Sequence, residues 1–380
     1  MSTATKIVAR ILLPFFILNP IASYLMRKNI SKNAQPETKP EIRHEITFTM
    51  YDYDEPMQIH KKAHSNYLAE NLINKSSRYQ GKLELSRPNP VELAWTVECE
   101  DELDIEEYTV YFSDNRNMKN AATYVTEEDV LSIYNVEIGA TYYWYVSFEC
   151  DGCEYKSEVS SFETNPEAPR NLYVDGVTNV RDMGGWDCDG GKVKQGMIFR
   201  TAKLHDDDEV NITEKGVAQI LGDLKVKTEV DLRYEVTPTE YGSLGESVKY
   251  VVLPLDFSDD MMLDKTQAGY IRQFFGVLGD KNNYPVFFHC AIGTDRTGLC
   301  AFLLNGLLGV SEDDLYRDYR FSNFGFIGGE RDGHNITHYI ELLDGFEGEK
   351  LKDRIESYLL SIGVTAEDIK TIRTLMIEKN

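Results

Sequence analysis

The chain contains 380 residues, with 40 lysines and arginines against 63 aspartates and glutamates, which gives a formal net charge of -23. This length is enough for two domains with sizeable cores, and the acidic balance argues against nucleic acid and against broad electrostatic binding to anionic membranes. Six cysteines are too few to build a fold of this size from disulfides, so cysteine usage leaves the redox compartment open.

Residues 1–30 combine basic side chains with an apolar run. Lys6 and Arg10 precede the apolar residues 11–18, which are too few to span a bilayer alone, and a basic pair closes the stretch. This order is typical of a secretory signal or a short membrane anchor. We therefore expect a secreted or envelope-anchored protein. The alternatives are a cytoplasmic protein and an ordinary apolar first helix.

Residues 31–79 are predicted to hold a linker and short structural elements. The first ten of them are polar and include Pro36 and Pro40, as is usual in a linker. A strand is expected over residues 45–51 and a helix over residues 65–73.

Residues 80–166 change to short segments rich in strand-forming residues. Apolar and polar residues alternate over 91–97, and aromatic and β-branched residues dominate 108–112 and 141–148. Strands at this spacing predict an all-β sandwich.

Two details of this region add to that prediction. Asp151 and Gly152 suit a tight type I′ hairpin turn. Around Trp95 and residues 138–144 the sequence resembles a fibronectin type III module. The resemblance implies a β-sandwich that can bind a partner.

Strands and helices alternate in residues 167–380. The strand patterns cover 226–232, 248–255 and 286–289, and the helix patterns cover 270–278, 298–308 and 349–362. This alternation predicts an α/β domain with a central, largely parallel sheet. Ligands of such sheets bind beyond the carboxyl ends of the strands.

The stretch from His289 to Gly298 is predicted to turn from a buried strand into a buried helix. It holds Cys290 and Arg296, separated by five residues, with Gly293 between them. A turn of this kind places backbone N–H groups at a helix N-terminus, which suits an anion. The loop residues expected to contact that anion are Ala291, Ile292, Gly293, Thr294 and Gly298.

Four side chains of this stretch each have an expected chemical role. The helix dipole and Arg296 favour the thiolate of Cys290, which is then a nucleophile able to form a phosphocysteine. Arg296 offers a planar fork for two phosphoryl oxygens. Thr297 is expected to donate to the Cys290 sulfur, and His289 to brace the loop.

Four ordered blocks resemble the bacterial protein-tyrosine-phosphatase-like family, whose members include lipid and dual-specificity phosphatases. The blocks are residues 179–185, 199–204 with 231–233, 289–298 and 355–364. The resemblance covers residues 170–378 and implies a cysteine-phosphatase fold. Thr294 stands where this family usually carries a lysine that has been linked to lipid phosphates. Its absence shifts the expected substrate toward phosphotyrosine.

Polar residues outside the loop are also candidates for contact with the substrate: Arg181, Asp182, Arg200 and Arg233. Arg181 and Asp182 can brace the loop from below or pair with each other, and the alternative is a structural turn. Arg233 ends a predicted strand, where substrate binding and a surface salt bridge are both open.

A carboxylic acid should protonate the leaving oxygen. Asp295 lies inside the loop, and relatives with Asp-Arg at this place are thought to use that aspartate. Asp256 follows a predicted strand and could act from a mobile loop. We favour Asp295, and for either residue the alternative is a carboxylate that only forms or braces a turn.

These observations predict a phosphatase that uses no metal or cofactor and works in two steps through a phosphocysteine. Protein phosphotyrosine is the expected substrate, and an inositol phosphate or phosphoinositide is the alternative. A catalytically weak surface binding protein is the alternative from another class. The intact Cys290, Asp295 and Arg296 argue against it.

Overall fold

The structure of the protein is a computed structural model that describes residues 43–53, 55–69, 80–205, 211–236, 239–258 and 260–379. The predicted signal or anchor over residues 1–30 and the first part of the predicted linker lie outside these ranges. None of the helices within them has both the length and the apolar character that a bilayer span requires.

The chain divides into two compact units. The larger comprises His44–Cys150 and Glu154–Asn380, and the smaller includes Asp151–Cys153. In the smaller unit Asp151 and Gly152 have positive φ angles of 50° and 78°. A type I′ turn needs positive φ at both central residues, so the predicted turn is confirmed.

The N-terminal part of the larger unit is mainly β-structure. Its elements are β1 Thr47–Met50, α1 Lys62–Ala69, β2 Val91–Glu98, β3 Tyr108–Ser113, β4 Ala122–Thr126, β5 Val130–Ile133, β6 Thr141–Cys150, β7 Cys153–Lys156 and β8 Ser160–Glu163. One sheet has the order β1-β2-β5, and the other has the order β4-β3-β6-β7 with β8 also paired to β6. Alternate residues of β2 are buried, as a strand with one covered face requires. Trp95 of the first sheet and Trp144 of the second belong to the same apolar core.

The C-terminal part contains both strands and helices. Its elements are β9 Arg181–Asp182, β10 Asp187–Cys188, β11 Gly191–Val193, β12 Ile198–Thr201, α2 Glu214–Ala218, β13 Thr228–Arg233, β14 Lys249–Leu255, α3 Lys265–Leu278, β15 Val286–His289, α4 Asp295–Leu308, α5 Glu312–Phe321, α6 His334–Leu343, α7 Leu351–Ser361, α8 Ala366–Met376 and β16 Ile377–Glu378. Short helical turns lie at Gln219–Asp223, Lys281–Asn283 and Ser322–Phe324.

The main sheet of this part has the order β14-β13-β15-β12-β9. All neighbours are parallel except β12 and β9, which confirms the predicted, largely parallel sheet. Every residue of β15 is buried, because helices cover both faces of a parallel sheet. Every residue of α4 is buried as well. The loop between β15 and α4 therefore connects two fully buried elements.

Helix α1 and residues 80–90 lie against the C-terminal domain. The Tyr67 hydroxyl donates to the carbonyl of Arg317 at 3.2 Å. Its ring packs with the buried rings of Phe321 and Phe324. A short helix was predicted here over residues 65–73, and the structure has α1 at Lys62–Ala69, while residues 70–73 lie outside the described ranges. The sequence did not show that α1 presents an aromatic side chain that the C-terminal domain buries.

His64 in α1 makes the stability of the protein depend on pH. Burial lowers the pKa of His64 to about 3, and the charges of His60 and Lys61 act in the same direction. The unfolded chain therefore binds one more proton between about pH 6.5 and pH 3, and the unfolding free energy falls as pH falls through this window. Between pH 6.5 and 4.5, we expect the unfolding free energy of His64→Gln to fall by about 2–3 kcal/mol less than that of the unaltered protein.

Urea unfolding at both pH values measures this effect. His334→Gln, at an exposed histidine, is the matched control and should leave the slope unchanged. Equal slopes in the His64 variant and the unaltered protein would contradict the prediction.

Candidate active site

The Cys290 loop, residues 290–294, joins the carboxyl end of β15 to the first turn of α4. Cys290 is only 1% exposed. Helix α4 begins at Asp295, three residues earlier than predicted, so that Asp295 and Arg296 form its first turn. The first N–H groups of a helix have no partner inside the helix, and they carry the positive end of its dipole. The predicted anion-binding geometry is thus present beside a buried cysteine.

The two glycines of the stretch are required by packing. Gly293 has a φ angle of 70°, and a Cβ atom there would lie 2.3 Å from the carbonyl oxygen of Thr201 at the end of β12. A Cβ atom on Gly298 would lie 2.8 Å from the ring of Tyr319. Both glycines let the loop and α4 approach their neighbours closely, whereas the sequence suggested that they approach a ligand.

Three donors from outside the loop hold the carbonyl oxygens of residues 291–293. The Asn179 side-chain amide donates to Ile292 at 3.0 Å and to Gly293 at 3.2 Å. Arg200 also donates to the Gly293 carbonyl, at 2.9 Å, and the backbone N–H of Lys203 donates to Ala291 at 3.1 Å. Because these carbonyls are held, the loop is fixed before any ligand binds.

Arg181 and Arg200 stand behind the loop, and both are buried. Arg181 donates to the side-chain oxygen of Asn179 at 2.6 Å and pairs with Asp318 at 2.7 Å. Arg200 pairs with the other carboxylate oxygen of Asp318. Their guanidinium groups bind Asp318 and the loop scaffold, which favours the predicted bracing role for Arg181, and contact of either arginine with substrate stays a prediction.

Asp182 belongs to a structural turn, which was the stated alternative to loop bracing. Its carboxylate accepts from the N–H groups of Gly184 at 2.8 Å and Gly196 at 2.7 Å and pairs with Arg170 at 2.9 Å. Burial raises the pKa of Asp182 despite these partners. These partners favour the structural turn, and contact of Asp182 with substrate stays a prediction.

His289 and Arg233 bind the carboxylates of β13. The His289 ring lies 3.0 Å from the carboxylate of Glu229, which agrees with a bracing role. Arg233 is half-buried and pairs with Asp231 at 2.7 Å, which favours the salt-bridge alternative. Although burial alone would raise it, the pKa of Asp231 is lowered by His289 and Arg233.

Arg296 faces the Cys290 sulfur while a second residue holds its guanidinium. The two terminal nitrogens donate to the carboxylate oxygens of Glu235 at 2.9 and 3.1 Å, and one of them reaches the Leu255 carbonyl at 3.4 Å. Burial alone would lower the pKa of Arg296, but hydrogen bonds to Glu235 and to the Cys290 sulfur raise it. Glu235 was not among the predicted site residues. It lies two residues after β13, at the ligand end of the sheet, but this position does not show which side chain it binds.

Asp295 is held by a network that the sequence did not reveal. Its carboxylate accepts from the hydroxyl of Tyr319 at 2.8 Å and from the amide of Asn335 at 3.3 Å. Arg331 donates to one oxygen at 3.1 Å and to the other at 3.2 Å. Both oxygens of Asp295 are therefore occupied as acceptors.

Asp256 occupies a different environment. It is exposed and directly follows Leu255, whose carbonyl accepts from Arg296. Its backbone N–H donates to Gln267 at 2.8 Å, and no described residue binds its carboxylate. The structure thus brings both candidate acids to the edge of the Cys290 loop, one engaged and one accessible.

The two threonines of the stretch point to the protein interior. The Thr294 hydroxyl donates to the carbonyl of Ile292 at 3.3 Å, so its side chain serves the loop and only its backbone can face an anion. The Thr297 hydroxyl is buried without a hydrogen-bond partner among the described residues. Its donation to the Cys290 sulfur stays a prediction.

Comparisons with known proteins agree with this geometry. Residues 172–378 match the sequence profile of the tyrosine phosphatase family. A Cupriavidus necator protein named as a candidate tyrosine-protein phosphatase is 27% identical over 199 residues, which cover 43% of this chain and 70% of that protein.

Two solved structures are similar at a lower level. P. aeruginosa TpbA is 20% identical with a TM-score of 0.29, over 44% of this chain and 86% of that chain. The core catalytic domain of the PP-IP phosphatase SIW14 from S. cerevisiae, in complex with citrate, is 16% identical with a TM-score of 0.29, over 38% and 79%. These TM-scores are too low to support a conclusion about function. The profile match spans more than half of the chain, and on this ground the chain belongs to the tyrosine phosphatase family.

Proposed function

We propose that this protein hydrolyses phosphotyrosine in proteins through a phosphocysteine intermediate. The observation that carries the proposal is the position of Cys290, which is buried directly before the buried helix α4, with Arg296 in the first turn of that helix and held there by Glu235. A thiolate in this position meets the requirements of a nucleophile, and the helix N-terminus meets those of a phosphate site.

In the first step the Cys290 thiolate attacks phosphorus, the S–P bond forms, and the bond from phosphorus to the phenolic oxygen breaks. The leaving oxygen takes a proton from a carboxylic acid. In the second step the same carboxylate removes a proton from water, the water oxygen bonds to phosphorus, and the S–P bond breaks. Arg296 and the loop amides stabilise the charge on the equatorial oxygens in both steps.

Glu235 fixes the orientation of the Arg296 guanidinium, which is to bind the phosphoryl oxygens. A carboxylate that binds both terminal nitrogens restricts rotation of the guanidinium. The hydrogen bond from Arg296 also lowers the pKa of Glu235, so the pair stays ionised at neutral pH. The fork is therefore held ready before the substrate arrives.

We assign the general acid to Asp256. A general acid must present a protonated oxygen to the leaving group. Both oxygens of Asp295 already accept hydrogen bonds, from Tyr319, Asn335 and Arg331. Asp256 is exposed beside Arg296. This reverses the preference that the sequence favoured.

Asp256→Asn is expected to lower kcat on a phosphotyrosine peptide by about 10²-fold, because the phenolic oxygen then leaves without a proton. The loss should shrink with para-nitrophenyl phosphate, whose leaving group needs less protonation. Asp295→Asn is the comparison variant, and its loss should be equal on the two substrates. A loss that depends on the leaving group only in Asp295→Asn would reverse the assignment.

The surroundings of the loop support an aromatic phosphomonoester as substrate. Tyr234 and Phe257 are 62% and 51% exposed, and each is adjacent in sequence to a residue of the site, Glu235 or Asp256. Exposed aromatic side chains offer faces on which a phenyl ring can stack. Because Thr294 contributes no cation, the loop suits one phosphate rather than a polyphosphate.

Phosphate release from four substrates tests the proposal: a phosphotyrosine peptide, a phosphoserine peptide, a phosphoinositide and inositol hexakisphosphate, with chelator and reductant present. We expect turnover with the phosphotyrosine peptide, and Cys188→Ser, outside the loop, should keep it. Preference for either inositol compound would replace the substrate assignment. The absence of turnover on all four, in folded and reduced protein, would favour a binding protein.

The N-terminal regions add two further parts to the proposal. The apolar run over residues 11–18 supports export or anchoring in the cell envelope. Two sheets around one core support a fibronectin type III-like β-sandwich that binds a partner. Fractionation of cells that carry the full chain tests the location, and recovery of all the protein in the cytoplasm would refute it.

A further inference from the structure

Residues 81–86, which we name the N-terminal brace, pair with the segment 322–328 between α5 and α6. The N–H group of Gly81 donates to the Asn323 carbonyl at 3.0 Å, and its carbonyl accepts from the N–H group of Ile327 at 2.9 Å. The brace lies between α1 and β2 in the N-terminal, mainly β part of the chain, yet its backbone partners belong to the α/β domain. It is a fixed component of that domain.

Ser86, at the end of the brace, supports the backbone of Asn179. The Ser86 hydroxyl accepts from the Asn179 N–H group at 3.1 Å and donates to the Glu84 carboxylate at 2.7 Å. Ser86 is 4% and Asn179 1% exposed, so solvent water cannot readily replace this bond. Asn179 has a φ angle of 59°, a left-handed conformation that residues other than glycine adopt rarely.

The conformation of Asn179 matters because its side chain holds the Cys290 loop. From this backbone its amide nitrogen reaches the carbonyls of Ile292 at 3.0 Å and Gly293 at 3.2 Å. A buried N–H group without its acceptor would favour a change of backbone conformation. Any such change moves the donor away from both carbonyls.

The segment paired with the brace supports the helix that follows the loop. The Asn323 side chain donates to the Arg331 carbonyl at 2.7 Å and accepts from its N–H group at 2.8 Å. Arg331 in turn holds Asp295, the first residue of α4. The brace therefore contacts the support of residues 292–293 and the support of the first turn of α4.

We propose that the N-terminal brace is part of the active-site scaffold and that Ser86 is a positioning residue acting on the Cys290 loop through Asn179. The proposal rests on the proposed phosphatase function. Under this proposal the active-site scaffold includes residues 81–86, which lie outside the range 172–378 that matches the family. A loop whose carbonyls are no longer held would present its N–H groups to phosphate less accurately, which weakens phosphate binding and slows attack together.

The experiment is a double-mutant cycle in the full chain with Ser86→Ala, Asn179→Ala and the combined variant. Inorganic phosphate is titrated by calorimetry, kcat and KM are measured with para-nitrophenyl phosphate, and alkylation of Cys290 by iodoacetamide is followed against pH. Ser86→Thr keeps the hydroxyl as the conservative variant. Ser132→Ala, which removes an exposed hydroxyl bound to Glu92, is the control.

We expect Ser86→Ala to weaken phosphate binding about tenfold and to lower kcat/KM by a similar factor. The effect should disappear in the Asn179→Ala background, and Ser86→Thr should restore most of it. Equal losses in both backgrounds, or phosphate binding unchanged in Ser86→Ala, would overturn the proposal. If Ser86→Ala does not fold, Ser86→Cys takes its place in the cycle, because its sulfur is a weak acceptor.

The cycle also separates this proposal from the proposed function. If the unaltered protein turns over no substrate, the proposed function fails. Phosphate titration and Cys290 alkylation then still show whether the brace positions the loop.

Discussion

Cys290→Ser is expected to lower kcat/KM by at least about 10⁴-fold, the largest effect of any single substitution in the chain. A serine hydroxyl is not ionised at neutral pH, so it is a much weaker nucleophile than a thiolate. Arg296 and the helix N-terminus would remain, so ligand binding should survive. The variant should therefore bind a phosphotyrosine peptide without cleaving it.

Phosphate release and calorimetric binding of the peptide measure the two properties separately. Cys300→Ser is the matched control, since Cys300 is buried on the same helix. It should alter stability more than turnover. Activity of Cys290→Ser within tenfold of the unaltered protein would contradict the phosphocysteine mechanism.

Arg296→Lys is expected to lower kcat by about 10³-fold with a smaller change in KM. Lysine keeps the charge but loses the planar fork that binds two oxygens at once. It also cannot donate twice to Glu235 as Arg296 does at 2.9 and 3.1 Å. The loss should fall on the transition state, in which charge on the equatorial oxygens changes.

Steady-state kinetics with a phosphotyrosine peptide provide the measurement. Arg373→Lys, in a carboxylate pair between α7 and α8, makes the same chemical change away from the loop and should have no effect. A rise in KM at constant kcat in Arg296→Lys would show that this arginine binds ground state and transition state equally.

The strand-to-helix turn that holds Cys290 and Arg296, and the sheet beneath it, could be predicted from sequence because both depend on local order. Cys290 and Arg296 lie within one strand-to-helix turn, and the run before them is continuously apolar because β15 is covered on both faces. The partners Glu235 and Arg331 could not be predicted. They lie 61 and 36 residues from Arg296 and Asp295, and no periodic pattern encodes which loops meet at a sheet edge.

The same limit explains why the sequence did not show the scaffold contacts of Arg181 and Arg200. The sequence indicates that Arg200 is a cation near a phosphate site. All four residues of β12 are buried, however, and Arg200 pairs with Asp318, which lies 118 residues away in sequence. A buried arginine needs a carboxylate partner. The sequence can indicate that an arginine is buried, but it does not show which carboxylate pairs with it.

The N-terminal brace has a consequence for the order in which the protein becomes active during synthesis. Ser86 and Asn179 are 93 residues apart, and Tyr67 and Arg317 are 250 residues apart. Contacts across such distances require closure of long loops, which slows their formation relative to local pairing. The residues around Tyr67 can therefore dock only after helix α5 has been synthesised, so the proposed active site gains this support later than its own strands and helices can form.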